Sequence, residues 1–173
     1  MRHEIRICGF GGQGIILAGV ILGEAAAKSG YQAVQTQSYG PESRGGAARS
    51  EVVVSDAPID YPRVTKADVI VALSQPAFDR YAGAIGEDGY VVVDDAGVEA
   101  EGATAMPFTK TAEAVGHKIV TNIVMLGYLG ARLPFLDMDL LEETVLANVP
   151  KGTEEINRKA LAAGRDLATE KVS

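Results

Sequence analysis

The feature that most constrains this chain is a glycine-dense turn set between an alternating apolar run and a long run of small and apolar residues. Ile5-Arg6-Ile7-Cys8 alternates as a strand does. Gly9-Phe10-Gly11-Gly12-Gln13-Gly14 follows. Then comes Ile15-Ile16-Leu17-Ala18-Gly19-Val20-Ile21-Leu22-Gly23-Glu24-Ala25-Ala26-Ala27, which reads as a buried helix. A tight strand-to-helix turn needs glycine, because other residues resist left-handed backbone. The start of such a helix points free N–H groups and a partial positive charge at whatever lies above the turn. Gly9, Gly11 and Gly14 fit G-x-G-x-x-G, a dinucleotide or phosphate fingerprint.

The rest of the chain alternates strands with helices. A first strand over residues 4–8 and a helix over 13–29 are expected, with Gly30 as the left-handed residue past the helix end. Strands follow at 31–37 and 48–55, then a connection over 56–66 carrying Pro58 and Pro62. Residues 68–73 form a near-continuous apolar run, as in a strand covered on both faces. Ser74 caps the next helix, which runs to about residue 81 or 85 with Pro76 in its first turn. Glu87-Asp88-Gly89 launches a strand over 90–94, and 103–106 is a short strand. Helices are expected at 109–115, 121–133 (stopped by Pro134), 139–149 and 154–169. Asp139 and Glu142 have capping-box spacing. The pattern predicts an α/β fold with an open, mostly parallel sheet.

At 173 residues, 47% of them apolar, the chain is expected to form a single globular domain over 1–173. No apolar stretch approaches the roughly 18 residues of a membrane span. The start lacks the apolar core of a signal peptide, so a cytoplasmic location is expected, with no membrane partner. A net charge of −7 argues against nucleic acid as a partner. A single cysteine rules out an internal disulfide framework and a cluster held by this chain alone, which needs about four thiolates. Two histidines, His3 and His117, argue against a histidine-based zinc site.

A nicotinamide dinucleotide fits poorly. It predicts an acid at the end of the second strand to hold a ribose hydroxyl. Gln35 and Gln37 stand there, with no acid before Glu42. No G-K-[ST] follows the turn, so it is not a P-loop. Gln13 is expected to project toward a ligand. A second glycine-rich segment, Ser38-Tyr39-Gly40-Pro41-Glu42-Ser43-Arg44-Gly45-Gly46, follows the second strand and belongs at the same sheet edge as the first turn. Its arginine and hydroxyls suit a phosphate or carboxylate; the plainer reading is an Arg44–Glu42 surface pair. Arg49 is placed to add charge there. Cys8 lacks a base and reads as a buried structural thiol. Asp94-Asp95 reads as an Asx turn closing a strand. No catalytic set and no metal cluster is apparent. The candidate binding residues are Gly11, Gly12, Gln13, Gly14, Tyr39, Ser43, Arg44, Gly45 and Gly46. A stand-alone dinucleotide-binding reductase or nucleotide-sensing domain is the rival reading.

Together, the G-G-Q-G turn and the Y-G-P-E-S-R-G-G loop make the chain resemble the gamma subunit of 2-oxoacid:ferredoxin oxidoreductases, most closely the 2-oxoglutarate branch. Ser50-Glu51-Val52, Ala67-Asp68-Val69, Leu73-Ser74, Asn122 with Leu126-Gly127, and Asn157, Ala160 and Gly164 extend the resemblance over nearly the whole chain. It implies a Rossmann-like domain with helices on both sheet faces. It implies a hetero-oligomer in which alpha, beta and delta-type subunits hold thiamine diphosphate, Mg and iron–sulfur clusters, with ferredoxin as electron acceptor. The gamma subunit is then not catalytic alone and lies where coenzyme A approaches. The equivalent subunit of a pyruvate or indolepyruvate enzyme is the alternative within the family.

Overall fold

A computed structural model describes residues 1–39 and 46–170. Its strands are β1 (Arg2–Phe10), β2 (Gln32–Tyr39), β3 (Ala47–Ser55), β4 (Ala67–Ala72), β5 (Ile85–Asp94) and β6 (Thr104–Met106). They form one six-stranded sheet in the order β2-β3-β1-β4-β5-β6. The helices are α1 (Ile15–Lys28), α2 (Gln75–Tyr81), α3 (Phe108–Val115), α4 (Thr121–Arg132), α5 (Met138–Asn148) and α6 (Glu154–Thr169).

β1 pairs in parallel with β4, β4 with β5 and β5 with β6. β3 is antiparallel to both β1 and β2. The third strand therefore lies between the first two, where a simple βαβ unit would have made them neighbours. The cause is local: only residues 40–46 separate β2 from β3 along the chain, and so short a connection joins antiparallel strands only. Because β3 reverses twice, β2 still runs in the direction of β1. The mostly parallel α/β expectation holds with this one insertion.

Alternation along the strands gives the sheet two unequal faces. Ile5 and Ile7 of β1, Val52 and Val54 of β3, and Val69 and Val71 of β4 enter the larger core with α1 and α3 to α6. Cys8, Ala47, Ala72 and Val93 face the other way, under Ala77 and Tyr81 of the seven-residue helix α2. Two glycines draw α4 and α6 into backbone contact. A Cβ on Gly127 would overlap the Leu161 carbonyl, and one on Gly164 the Val124 carbonyl.

The caps follow the sequence with one correction. Gly30 takes φ 98 just past α1, and the Ser74 hydroxyl accepts from Ala77 N at 3.4 Å at the head of α2. α5 is capped by Asp137, whose carboxylate accepts from Asp139 N and Leu140 N at 2.9 and 3.1 Å. The Asp139/Glu142 box is not used, because the helix begins one residue earlier, at Met138. The expected turn at residues 87–89 falls within β5, as an irregularity opposite Ala67 and Val69.

The smaller face carries charge along β1. Burial raises the Glu4 carboxyl, but hydrogen bonds from Arg2 Nε (2.8 Å), Thr65 N (2.6 Å) and Lys66 N (3.0 Å) outweigh it and hold the group below its ordinary value. A value lowered by folding stabilises the fold above the ordinary carboxylate range. That contribution is lost as pH falls through the folded value. Glu4→Gln is accordingly less stable than the parent at neutral pH. Followed by circular dichroism, the two stabilities converge as acid is added; parallel curves would show that Glu4 carries no such linkage.

Candidate functional site

β1 ends at the glycine turn, and the turn is held from three directions. Gln13 folds back over it: its Oε1 accepts from Phe10 N at 2.7 Å and its Nε2 donates to Leu73 O at 3.2 Å. The amide expected to reach a ligand thus braces the turn, because Phe10 N and Leu73 O both need partners at the strand ends. Gly11 N donates to Gly46 O at 3.3 Å, so the end of the second glycine segment meets the first turn as the topology predicted. Asn122 Nδ2 of α4 donates to Gly14 O at 3.3 Å.

Gly12 and Gly14 take φ 92 and 72, a region that non-glycine residues resist. At Gly14 a Cβ would also run into the Asn122 amide. At Gly12 a Cβ would meet nothing within 4 Å. The turn is therefore packed below and open above.

Above it lies a cleft of about 390 Å³, lined by Gly12, Gln13, Thr109, His117, Lys118 and Thr121. Three helical starts converge here. Gly14 is the N-cap of α1 and makes no side-chain cap there, whereas α4 continues directly from a 3-10 turn, Lys118–Val120, which leaves the Thr121 N–H bonded to Lys118 O. Thr109 belongs to the first turn of α3, where Asp94 takes over the capping. Asp94 Oδ1 accepts from Thr109 N at 3.2 Å, and Oδ2 takes the Thr109 hydroxyl. The same Oδ1 accepts from Ala96 N at 3.5 Å, which is the Asx turn the sequence suggested. The uncapped start of α1 carries unpaired N–H groups and partial positive charge, and they face the turn. Together with the Lys118 ammonium they make the cleft suited to an anion.

A second, apolar groove of about 250 Å³ shares Gly12 and Ile119 with this cleft and runs on past Leu17, Val149, Pro150 and Ile156. Ile119, on the rim between them, is 73% exposed.

Of the predicted binding residues, Gly11, Gly12, Gln13, Gly14 and Gly46 come together here. Ser43, Arg44 and Gly45 lie outside the described residues, and Tyr39 is placed as the last residue of β2. Arg49 does not join them. It extends on the α2 face, 5.2 Å from the Tyr81 ring centre and 3.8 Å from Glu51 Oε1. Cys8 is buried with its Sγ 3.5 Å from Val71 O, and burial pushes its thiol up to about 12, far from nucleophilic at neutral pH.

Sequence reasoning missed Lys118, Thr109 and Thr121 as lining residues and set His117 aside. His117 Nδ1 accepts from Ile119 N at 3.0 Å, ordering the segment that carries Lys118. The available signal was position: His117-Lys118 stands directly ahead of a buried helix whose Asn122 had been singled out with the glycine motifs.

Comparison with known proteins agrees in length and shape. A family model described as pyruvate ferredoxin/flavodoxin oxidoreductase matches residues 4–167. The chain is 51% identical to the 2-oxoglutarate synthase subunit KorC of Methanocaldococcus jannaschii, an alignment covering 98% of this chain and 96% of that one. It superposes with TM-score 0.87 and 44% identity on the gamma subunit of a keto/oxoacid ferredoxin oxidoreductase from Geobacter sulfurreducens, covering 98% and 97% of the two chains. It also matches a chain of the 2-oxoglutarate:ferredoxin oxidoreductase of Magnetococcus marinus, solved with 2-oxoglutarate, coenzyme A and succinyl-CoA bound. There the TM-score is 0.85 and the identity 26%, over 97% of this chain and 31% of that one. Built as a gamma subunit is, and matched over nearly its whole length, the chain belongs to the pyruvate ferredoxin/flavodoxin oxidoreductase family.

Proposed function

We propose that this chain is the gamma subunit of a 2-oxoglutarate:ferredoxin oxidoreductase, which converts 2-oxoglutarate, coenzyme A and oxidised ferredoxin to succinyl-CoA, CO2 and reduced ferredoxin. The observation that carries the reading is its 51% identity to a 2-oxoglutarate synthase subunit across almost the full length of both chains. In this reading thiamine diphosphate with Mg, and the iron–sulfur clusters, are held by alpha, beta and delta-type partners in the cytoplasm. The gamma chain is one accessory domain, and the choice of oxoacid rests with the subunits that hold thiamine.

The chain's own share is to hold coenzyme A at the glycine turn. Coenzyme A supplies the thiol that accepts the acyl group, and it carries a diphosphate and a ribose phosphate. The cleft fits such groups: Gly12 leaves space above the turn, the start of α1 lacks a side-chain cap, and Lys118 lines the wall. Phosphates in this position accept from the free N–H groups while Lys118 balances their charge. Tyr39, Ser43, Arg44 and Gly45 of the second motif complete the proposed donor set from the Gly46 side.

Kinetics of the reconstituted complex test this. Lys118→Ala and Arg44→Ala each raise the KM for coenzyme A about tenfold, the worth of one charge-assisted hydrogen bond, and leave the KM for 2-oxoglutarate unchanged. An unaltered KM for coenzyme A in both variants refutes the binding assignment. A complex that turns over pyruvate or indolepyruvate in place of 2-oxoglutarate refutes the substrate. Micromolar binding of NAD(P)H by the isolated chain would replace the whole reading with a dinucleotide-binding one.

A further inference from the structure

Among the described residues β2 is the edge of the sheet, with β3 on one side and no strand on the other. Edge strands of soluble proteins are commonly blunted by charge, proline, a bulge or a covering element. β2 has none of the first three. Its sequence, Gln32-Ala33-Val34-Gln35-Thr36-Gln37-Ser38-Tyr39, contains no charged residue and no proline. Its pairing with β3 is unbroken from Gln32↔Ser55 to Tyr39↔Ala48. Such an edge is a ready template for another strand.

The adjoining face says what kind of strand. Thr36 lies opposite Glu51 and Ser38 opposite Arg49, so these four side chains share the face that carries α2. That helix packs over β1, β3 and β4, while the helix packed on β2 is α1, on the opposite face; among the described residues no helix covers β2 on the α2 side. The result is a crevice of about 240 Å³ lined by Thr36, Gln37, Ser38, Arg49, Glu51 and Arg63. Its one carboxylate is already shared. Glu51 Oε2 is 2.8 Å from Arg6 Nη2 and Oε1 is 3.8 Å from Arg49 Nε. Arg49 and Arg63 thus leave the crevice positive on a chain whose net charge is −7. The short side chains of Thr36 and Ser38 leave room for an acidic side chain to lie across β2, from a strand one spacing of about 4.8 Å beyond it.

We infer that the β2 edge is completed in the assembled complex by a strand of another subunit, one that presents carboxylates to Arg49 and Arg63. A second copy of this chain fits less well, because β2 itself brings no acidic residue to the pairing. The inference goes beyond the coenzyme A cleft but rests on the chain being a subunit of a larger complex.

The test compares the full chain alone with the purified complex by hydrogen exchange and by dissociation kinetics. Amides of residues 32–38 exchange at least about tenfold more slowly in the complex than in the free chain. Arg63→Glu speeds dissociation of the complex about tenfold, whereas Arg63→Lys behaves as the parent and neither changes the melting temperature of the free chain. Unchanged β2 exchange on assembly overturns the inference while leaving the subunit assignment intact. So does an Arg63→Glu complex as long-lived as the parent. A free chain that dimerises with β2 protected overturns it in favour of self-pairing. Failure of the parent chain to assemble with any other subunit removes both the assignment and the inference.

Discussion

Gly164→Ala lowers the stability of the free chain by about 3 kcal/mol, the upper range of overpacking costs, or prevents its folding. The added methyl would overlap the Val124 carbonyl and lie 3.0 Å from Tyr128 N, both backbone atoms of α4. Backbone cannot swing aside as a side chain can, so the helices must separate. Separation loosens the core in which Leu126 and Leu129 of α4 and Leu161 of α6 are buried. Alanine is intrinsically the better helix former by up to about 1 kcal/mol, so the loss appears against a favourable local term. Gly23→Ala is the control. It also lies in a helix, but its added carbon would sit 3.8 Å from Gln35 Cβ and 3.9 Å from Val52 Cγ1, ordinary contact distances. Urea unfolding monitored by circular dichroism is expected to give a lower midpoint for Gly164→Ala and an equal or higher one for Gly23→Ala. Equal midpoints in the two variants would mean that α4 and α6 do not depend on their close approach.

The second large effect is at the ion pair across β1 and β3. Arg6 Nε and Nη2 both reach Glu51 Oε2, at 2.9 and 2.8 Å, with each side chain 8% exposed. Arg6 Nη1 also donates to Tyr81 O and Gly83 O, each at 2.9 Å, tying the end of α2 to the sheet. Glu51→Gln leaves a buried guanidinium without its counter-charge and costs about 3–5 kcal/mol. Arg6→Met costs a similar amount, because it strands the carboxylate and two carbonyls together. The double variant Arg6→Met/Glu51→Leu loses less than the two single losses added, since no buried charge remains unpaired. Additive losses in a denaturant-based double-mutant cycle would show that the two side chains act independently.

Both results turn on features that a single sequence shows only in part. The fold class was legible because β4 and the apolar half of β5 are near-continuous apolar runs and α4 is bounded by Pro134. The bounds of α6 could be read residue for residue, because Pro150-Lys151-Gly152 stops the chain before it. The place of β3 was harder to see: strand order is a property of which edges meet, and periodicity reports only which faces are apolar. The approach of Gly46, the last residue of the second motif, to the first turn was legible from strand direction alone and survives the insertion of β3. Gln13 was ambiguous because a polar residue in an open turn has the same sequence signature whether it serves a ligand or the backbone. Lys118 and Thr109 were invisible for another reason. They are brought to Gly12 by helix starts about a hundred residues away along the chain, a distance no local pattern spans.

The brace at Gln13 also bears on how the cleft comes into being. Its amide closes on Leu73, 60 residues further along, and Gly14 is held by Asn122, 108 residues away. Contacts across such separations form only after the entropy of closing long loops has been overcome. The glycine turn is thus a short motif with a long-range structure. A fragment ending after β3 contains every glycine of both motifs, yet lacks the carbonyl, the amide and the lysine that turn them into a cleft. The cleft is a product of the completed domain, and its appearance during refolding would report that β4 and α4 have docked.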